Sequence, residues 1–138
     1  MNTSSEGESS SKNIDQKQYK TSGAWGLLAS INLYDCDANK ITTPAVMREF
    51  VIALCKEINM KPHGEPHIGK FGSDSLEGHS VMQFIETSSI TIHFDDKMGN
   101  RAFIDIFSCK YFDQEKAFEF SKNYFDAKSG KYWSLIRS

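Results

Sequence analysis

Only two helical stripes stand among six strand-like segments in this chain, in the order β-α-β-β-β-β-α-β, and that ratio limits the architectures open to it. Two helices cannot cover both faces of so large a sheet. The expected fold is therefore α+β, a two-layer sandwich of a mostly antiparallel sheet with two helices on one face. The other face is left for solvent, a ligand or a second subunit. The opening strand shows the pattern: Trp25, Leu27, Ala29, Ile31 and Leu33 share one side, Ser30 and Asn32 the other. Thr42-Thr43-Pro44 then supplies an N-cap and a proline suited to a first helical turn. Met47, Phe50, Val51, Leu54 and Ile58 recur on one stripe, which predicts a helix over 44–59. Pro62, Gly64 and Pro66 break regular structure. Strands are predicted at His67–Phe71, Ser80–Ile85, Ser89–Phe94 and Ala102–Cys109, the second and third joined near Glu86–Ser88. Asp113 is placed to cap a helix to about Ala127, Ser129-Gly130 to end it, and Lys131–Ile136 to form the last strand.

The chain has 138 residues. Residues 1–22 hold almost nothing to bury and are expected to be a disordered polar tail, leaving 23–138 as a single domain. The net charge of −2 lacks the electrostatic footprint of a nucleic-acid binder. No apolar run approaches the roughly 20 residues that cross a bilayer, and no membrane association is expected. The opening MNTSSEGESSSKN has no apolar stretch, so a secretory leader is not expected. Cys36, Cys55 and Cys109 are odd in number and widely spaced, which fits reduced thiols in a cytoplasm better than a disulfide framework or a zinc pair.

The densest polar cluster among apolar strands is Glu86-Thr87-Ser88-Ser89-Ile90-Thr91-Ile92-His93. A serine and a histidine five apart can serve as nucleophile and base. The same residues also read as strand-end hydroxyls satisfying a turn, with His93 on a wet face. Strict alternation places Ser88 and His93 on opposite faces, so convergence requires a bend at Thr87–Ser89. Cys109 ends the strand Ile104-Asp105-Ile106-Phe107-Ser108-Cys109 and is followed by Lys110, which permits exposure of the thiol. His63 and His67 sit four apart, but the intervening Gly64 and Pro66 forbid the helix that would align them, and no metal site is expected. No phosphate-binding glycine loop and no HExxH are present.

These pieces in this order resemble the small prokaryotic S-adenosylmethionine decarboxylases, pyruvoyl-dependent enzymes of spermidine synthesis. The family has a serine at a strand end, a short I-[ST]-x-H run, then a strand closing in D-[IVL]-[FY]-[ST]-C. Here these are Ser88, Ile90-Thr91-Ile92-His93 and Asp105-Ile106-Phe107-Ser108-Cys109, with Ser80 eight residues before the nucleophile and Leu33-Tyr34-Asp35-Cys36-Asp37 closing the first strand. The likeness covers about residues 25–128. It implies self-cleavage at Thr87–Ser88, leaving a pyruvoyl group at residue 88 that captures the amine of S-adenosylmethionine as a Schiff base. It also implies proton handling during processing by His93 with help from Ser80, and a proton donated to the product carbon by Cys109. Phe71 corresponds to an adenine-stacking aromatic. The implied state is a cytoplasmic homodimer with sites near its interface.

The sequence departs from the family pattern twice. Thr87-Ser88-Ser89 replaces a usual Glu-Ser-His, and Phe94-Asp95-Asp96-Lys97 replaces a usual Trp-Pro-Glu whose glutamate binds the ribose. Asp95 or Asp96 is the expected substitute for that carboxylate. A lost ribose contact would permit a basic amino acid, ornithine or arginine, as substrate. A chain that never cleaves and acts as a binding or regulatory homologue is the alternative of another class.

Overall fold

The computed structural model describes residues 12–138. Its sheet has six strands: β1 (Gly26–Tyr34), β2 (His67–Phe71), β3 (Gly78–Ile85), β4 (Ser88–Asp95), β5 (Arg101–Ser108) and β6 (Ser129–Arg137). They lie in the order β2-β3-β4-β5-β1-β6, and every neighbouring pair is antiparallel. The helices are α1 (Gln16–Thr21), α2 (Pro44–Glu57) and α3 (Gln114–Tyr124). The expected α+β sandwich is what the chain forms, with one helix more than expected.

Alternation decides which face is buried. Leu27, Ala29, Ile31 and Leu33 of β1, Ile90 and Ile92 of β4, and Ile104 and Ile106 of β5 are all essentially inaccessible to solvent. They form the sheet's half of a core whose other half is the α2 stripe Met47, Phe50, Val51 and Leu54, with Ala117 of α3 and Phe125 at its C-terminal end. Each such Leu, Ile, Val, Met or Phe side chain contributes about 1.5–3 kcal/mol by leaving water, so the helical layer is held by area rather than by propensity.

Helix ends follow local chemistry. Thr43 precedes Pro44 at the start of α2, as expected, but its hydroxyl donates to the Asn39 carbonyl instead of capping. Asp113 does cap α3, its carboxylate accepting from the Lys116 amide at 3.1 Å. Both helices stop where a residue turns left-handed, Asn59 at φ 57° and Asp126 at φ 51°. Ser129 and Gly130 are therefore not the helix stop but the first residues of β6. A Cβ on Gly130 would lie 2.7 Å from the Asn32 carbonyl of β1, which explains glycine there.

The expectation of a disordered tail over 1–22 fails for the part that is described; residues 1–11 lie outside the described residues. Asp15 and Gln18 form a reciprocal capping box that starts α1, at 2.8 and 3.0 Å. Ile14 is buried in the main core, and its backbone is held at both ends by the buried side-chain amide of Gln114, at 2.6 and 3.1 Å. Asn13 accepts from the Glu115 amide in the first turn of α3.

Candidate active site

Two polar constellations lie at opposite ends of β4. At one end, Glu86 and Thr87 form a two-residue turn joining β3 to β4, and Ser88 is the first residue of β4. Ser88 has φ 156°, a conformation that costs an L side chain strain and that glycine adopts freely. The carbonyl of Thr87, the residue before it, accepts a hydrogen bond from the Cys109 amide at 3.0 Å. That donor sits where negative charge would develop if the carbonyl were attacked. The Thr87 side chain is held as well, with 2.8 Å between its hydroxyl and that of the fully buried Ser108. Ser108 in turn accepts from the Lys110 amide at 2.9 Å. Met60, carried past the left-handed end of α2, places its sulfur 3.4 Å from the Thr87 hydroxyl.

The turn is also pinned from outside. The Glu86 amide donates to the Lys61 carbonyl, and Glu86 Oε2 lies 2.9 Å from His63 Nδ1. That bond holds the Glu86 carboxyl below its ordinary value, with smaller help from the charges of His63 and Lys61 against a small opposing effect of burial. His63 is thus occupied by the turn. Among the described residues no group of three or more His, Cys, Asp or Glu side chains is placed to hold a metal ion.

At the far end of β4, Ser80 Oγ and His93 Nδ1 are 2.8 Å apart on neighbouring strands. Strand register makes this pair, since Ser80 lies directly opposite His93 across β3 and β4. Both border a cleft of about 710 Å³ on the face away from the helices, also lined by Phe71, His67, Met82 and Thr91. Phe71 is 63% exposed there, free to stack on a flat ligand.

Asp95 and Asp96 separate cleanly. Asp95 binds Arg101 Nε at 2.7 Å and accepts from the Lys97 and Met98 amides, so it is committed to the β4–β5 connection. Burial works to raise its pKa, but the Arg101 bond and the two amides outweigh that and hold it below the ordinary carboxylate range. Asp96 engages Lys97 through Oδ2 at 3.0 Å, while its buried Oδ1 has no partner. Of the two, Asp96 alone has a carboxylate oxygen left without a partner.

The structure thus brings together Ser80 with His93, and Thr87 with Cys109, but it does not bring His93 to Ser88. The bend falls at Glu86–Thr87, one residue too early. β4 then runs straight, paired to β5 from Ser88 opposite Ser108 to His93 opposite Phe103. Five residues at about 3.3 Å each put the two roughly 16 Å apart. Cys109 is exposed at the end of β5, whereas burial pushes the Cys36 and Cys55 thiols up to about 11, with Asp35 adding to the effect on Cys36. Sequence reasoning missed Ser108 and Met60 as partners of Thr87. It also missed the His63–Glu86 pair, because these contacts depend on where α2 ends and which residues form the turn.

The face that carries the cleft also bears large apolar side chains. Phe84, Leu135, Trp133 and Met82 are exposed on it, and Phe103 and Phe107 lie partly covered under the Arg101 and Arg137 guanidinium groups. Among the described residues no helix is long and apolar enough to cross a membrane.

The family model described as S-adenosylmethionine decarboxylase matches residues 28–138. No curated protein matches the chain. Among solved structures, the crystal structure of the adenosylmethionine decarboxylase from Aquifex aeolicus VF5 superposes with a TM-score of 0.70 at 22% identity, covering 83% of this chain and 92% of that one, and so shares the fold. With four-fifths of its length inside the family model, the chain belongs to the S-adenosylmethionine decarboxylases, carboxy-lyases that serve polyamine synthesis.

Proposed function

We propose that this S-adenosylmethionine decarboxylase makes its own pyruvoyl group by cleaving itself at Thr87–Ser88. The observation that carries the reading is the strained Ser88 beside a carbonyl already held by the Cys109 amide. The Ser88 hydroxyl attacks the Thr87 carbonyl carbon, and the peptide becomes an ester as the amide nitrogen is released. The Cys109 N–H faces the oxygen on which charge gathers in that step. Loss of the Ser88 α-proton expels the Thr87 carboxylate and breaks the chain. Water then replaces the nitrogen of residue 88, which leaves as ammonia, and the new N-terminus is a pyruvoyl group. That group supplies an electrophilic carbonyl that takes the substrate amine and accepts the electrons left as carbon dioxide departs.

The remaining steps belong to side chains. His93 is the base and Ser80 its orienting partner: with Nδ1–H donated to Ser80, Nε2 is free to take a proton. Cys109, exposed beside the cleavage site, returns the proton to the product carbon. Phe71 stacks the adenine, and the Asp96 carboxylate, whose buried Oδ1 has no partner, turns outward to receive a ribose hydroxyl.

A single chain holds only half of this site, because His93 and Ser88 are separated by most of a strand. We therefore assign the uncovered apolar face to a homodimer in which each copy sets its Ser80–His93 pair against the Ser88 and Cys109 of the other. The enzyme's three free cysteines support a cytoplasmic location. The test is the intact mass of freshly purified protein under denaturing conditions. Two fragments parted at Thr87–Ser88 are expected, the C-terminal one lighter by one ammonia than simple hydrolysis would leave it. A single full-length mass after long incubation overturns the reading.

A further inference from the structure

We infer that the segment before β1, which lies outside the span matched by the family model, is a working part of the site and that Tyr19 is a positioning residue for Cys109. This rests on the roles given above to Ser88 and Cys109. The Tyr19 hydroxyl donates to the Cys109 carbonyl at 3.1 Å; the Trp25 carbonyl, at 3.4 Å, is the weaker alternative for the same single proton. Two residues on, the Tyr111 hydroxyl donates to the Ile14 carbonyl at 2.8 Å, and the Tyr19 and Tyr111 rings meet with centroids 5.8 Å apart. The arm therefore brackets residues 109–111 as they leave β5. Its own anchor is firm, because Ile14 is buried and Gln114 binds both of its backbone groups.

Both peptide groups of Cys109 are then committed. Its N–H points at the Thr87 carbonyl and its C=O is held by Tyr19. A residue at the open end of a strand would otherwise be free to fray, carrying the amide away from the carbonyl and the thiol away from the reacting carbon. Tyr19 fixes both at once. It touches no reacting atom, so its effect runs through Cys109.

The Tyr19→Phe variant keeps the ring against Tyr111 and removes only the hydroxyl. The control is Thr21→Ala, whose hydroxyl bonds only the Lys17 and Gln18 carbonyls of its own helix. Three quantities are read on the full chain. These are the rate of splitting at Thr87–Ser88, the kcat and KM of the mature enzyme, and the rate at which iodoacetamide modifies Cys109 by peptide mass mapping. For Tyr19→Phe, splitting is expected to slow about threefold to tenfold. We also expect a fall in kcat at unchanged KM and faster modification of Cys109, with Thr21→Ala like the parent in each. A Tyr19→Phe protein that splits, turns over and alkylates like the parent overturns the strap and leaves the function intact. If the parent never splits, the self-cleavage reading fails, and the alkylation rates of parent and variant alone decide the strap.

Discussion

The two faces of one sheet have been put to opposite uses by the same alternating strands. The inner face carries Leu27, Ile31, Ile90, Ile92, Ile104 and Ile106, none of them meaningfully exposed, and is closed by α2 and α3. The outer face mixes Phe84, Trp133 and Leu135 with Ser80, Thr91, His93 and Asp105 along the same strands. A stability argument accounts fully for the first face. It cannot account for the second, which is too apolar to be left to water and too polar to be a core. The difference teaches where each kind of information sits: the inner residues specify the fold, while the paired candidate residues Ser80 and His93 stand on the outer face.

The sharpest way to break this contrast is to separate the half-sites. Ser88→Ala and His93→Ala proteins, each expressed alone, are expected to lose cleavage and decarboxylation entirely while keeping the parental fold by circular dichroism. Expressed together, with random pairing, they are expected to regain about a quarter of the parental sites, because half the dimers then hold one complete set. Only the chain bearing His93→Ala splits in that mixture. No recovery at all would place Ser88 and its base in one chain and remove the reason for sharing.

Next in size is a pair of substitutions, one on each face. Phe50→Ala, in the inner core among Phe120, Tyr124 and Phe125, is expected to cost about 3–5 kcal/mol in denaturant melts. Leu135→Lys on the outer face, where Leu135 is 54% exposed, is expected to leave the fold intact and shift the protein to monomers by sedimentation, with loss of splitting. Equal destabilisation by both would mean the outer face is ordinary protein surface.

The smallest effect concerns pH. The folded state holds the Asp95 carboxyl below its ordinary value, so the Arg101 pair stabilises the protein above the ordinary carboxylate pKa and loses that contribution as pH falls through the lowered one. Asp95→Asn is expected to cost under about 1 kcal/mol at pH 7, since the pair is partly exposed, and nothing once the parent carboxylate is protonated. Parallel melts at both pH values check the sign. Substrate affinity is expected to be unaffected, in contrast to loss of Asp96.

Much of this was legible in the residues. Alternation in β1, the α2 stripe and the Asp113 cap are local signals, and each formed where local chemistry put it. The Ser80–His93 pair was legible only in principle. Once the turn is known to be Glu86–Thr87, antiparallel register pairs residues whose numbers sum to 173, and 80 and 93 do. A turn drawn one residue later moves every partner, so the contact could not be read before the bend was placed. The arm was hidden for another reason. Ile14 is its one buried apolar residue among those described, and the capping box Asp15–Gln18 looks like any polar tail until Gln114, a hundred residues away, meets the Ile14 backbone.

The strand order carries a consequence for the mature protein. Splitting at Thr87–Ser88 leaves β1, β2 and β3 on one product and β4, β5 and β6 on the other. Since β1 lies between β5 and β6, and β3 lies against β4, the two products are interleaved in a single sheet rather than joined at one seam. β2 still pairs with β3 and β4 with β5, but β1 and β6 find strand partners only on the other product. The proposed cleavage would thus turn a unimolecular folding problem into an association of two different chains. Thermal unfolding of the split enzyme should depend on concentration, and a denatured sample could recover only by reassembly, never by retracing the path along which the intact precursor folded.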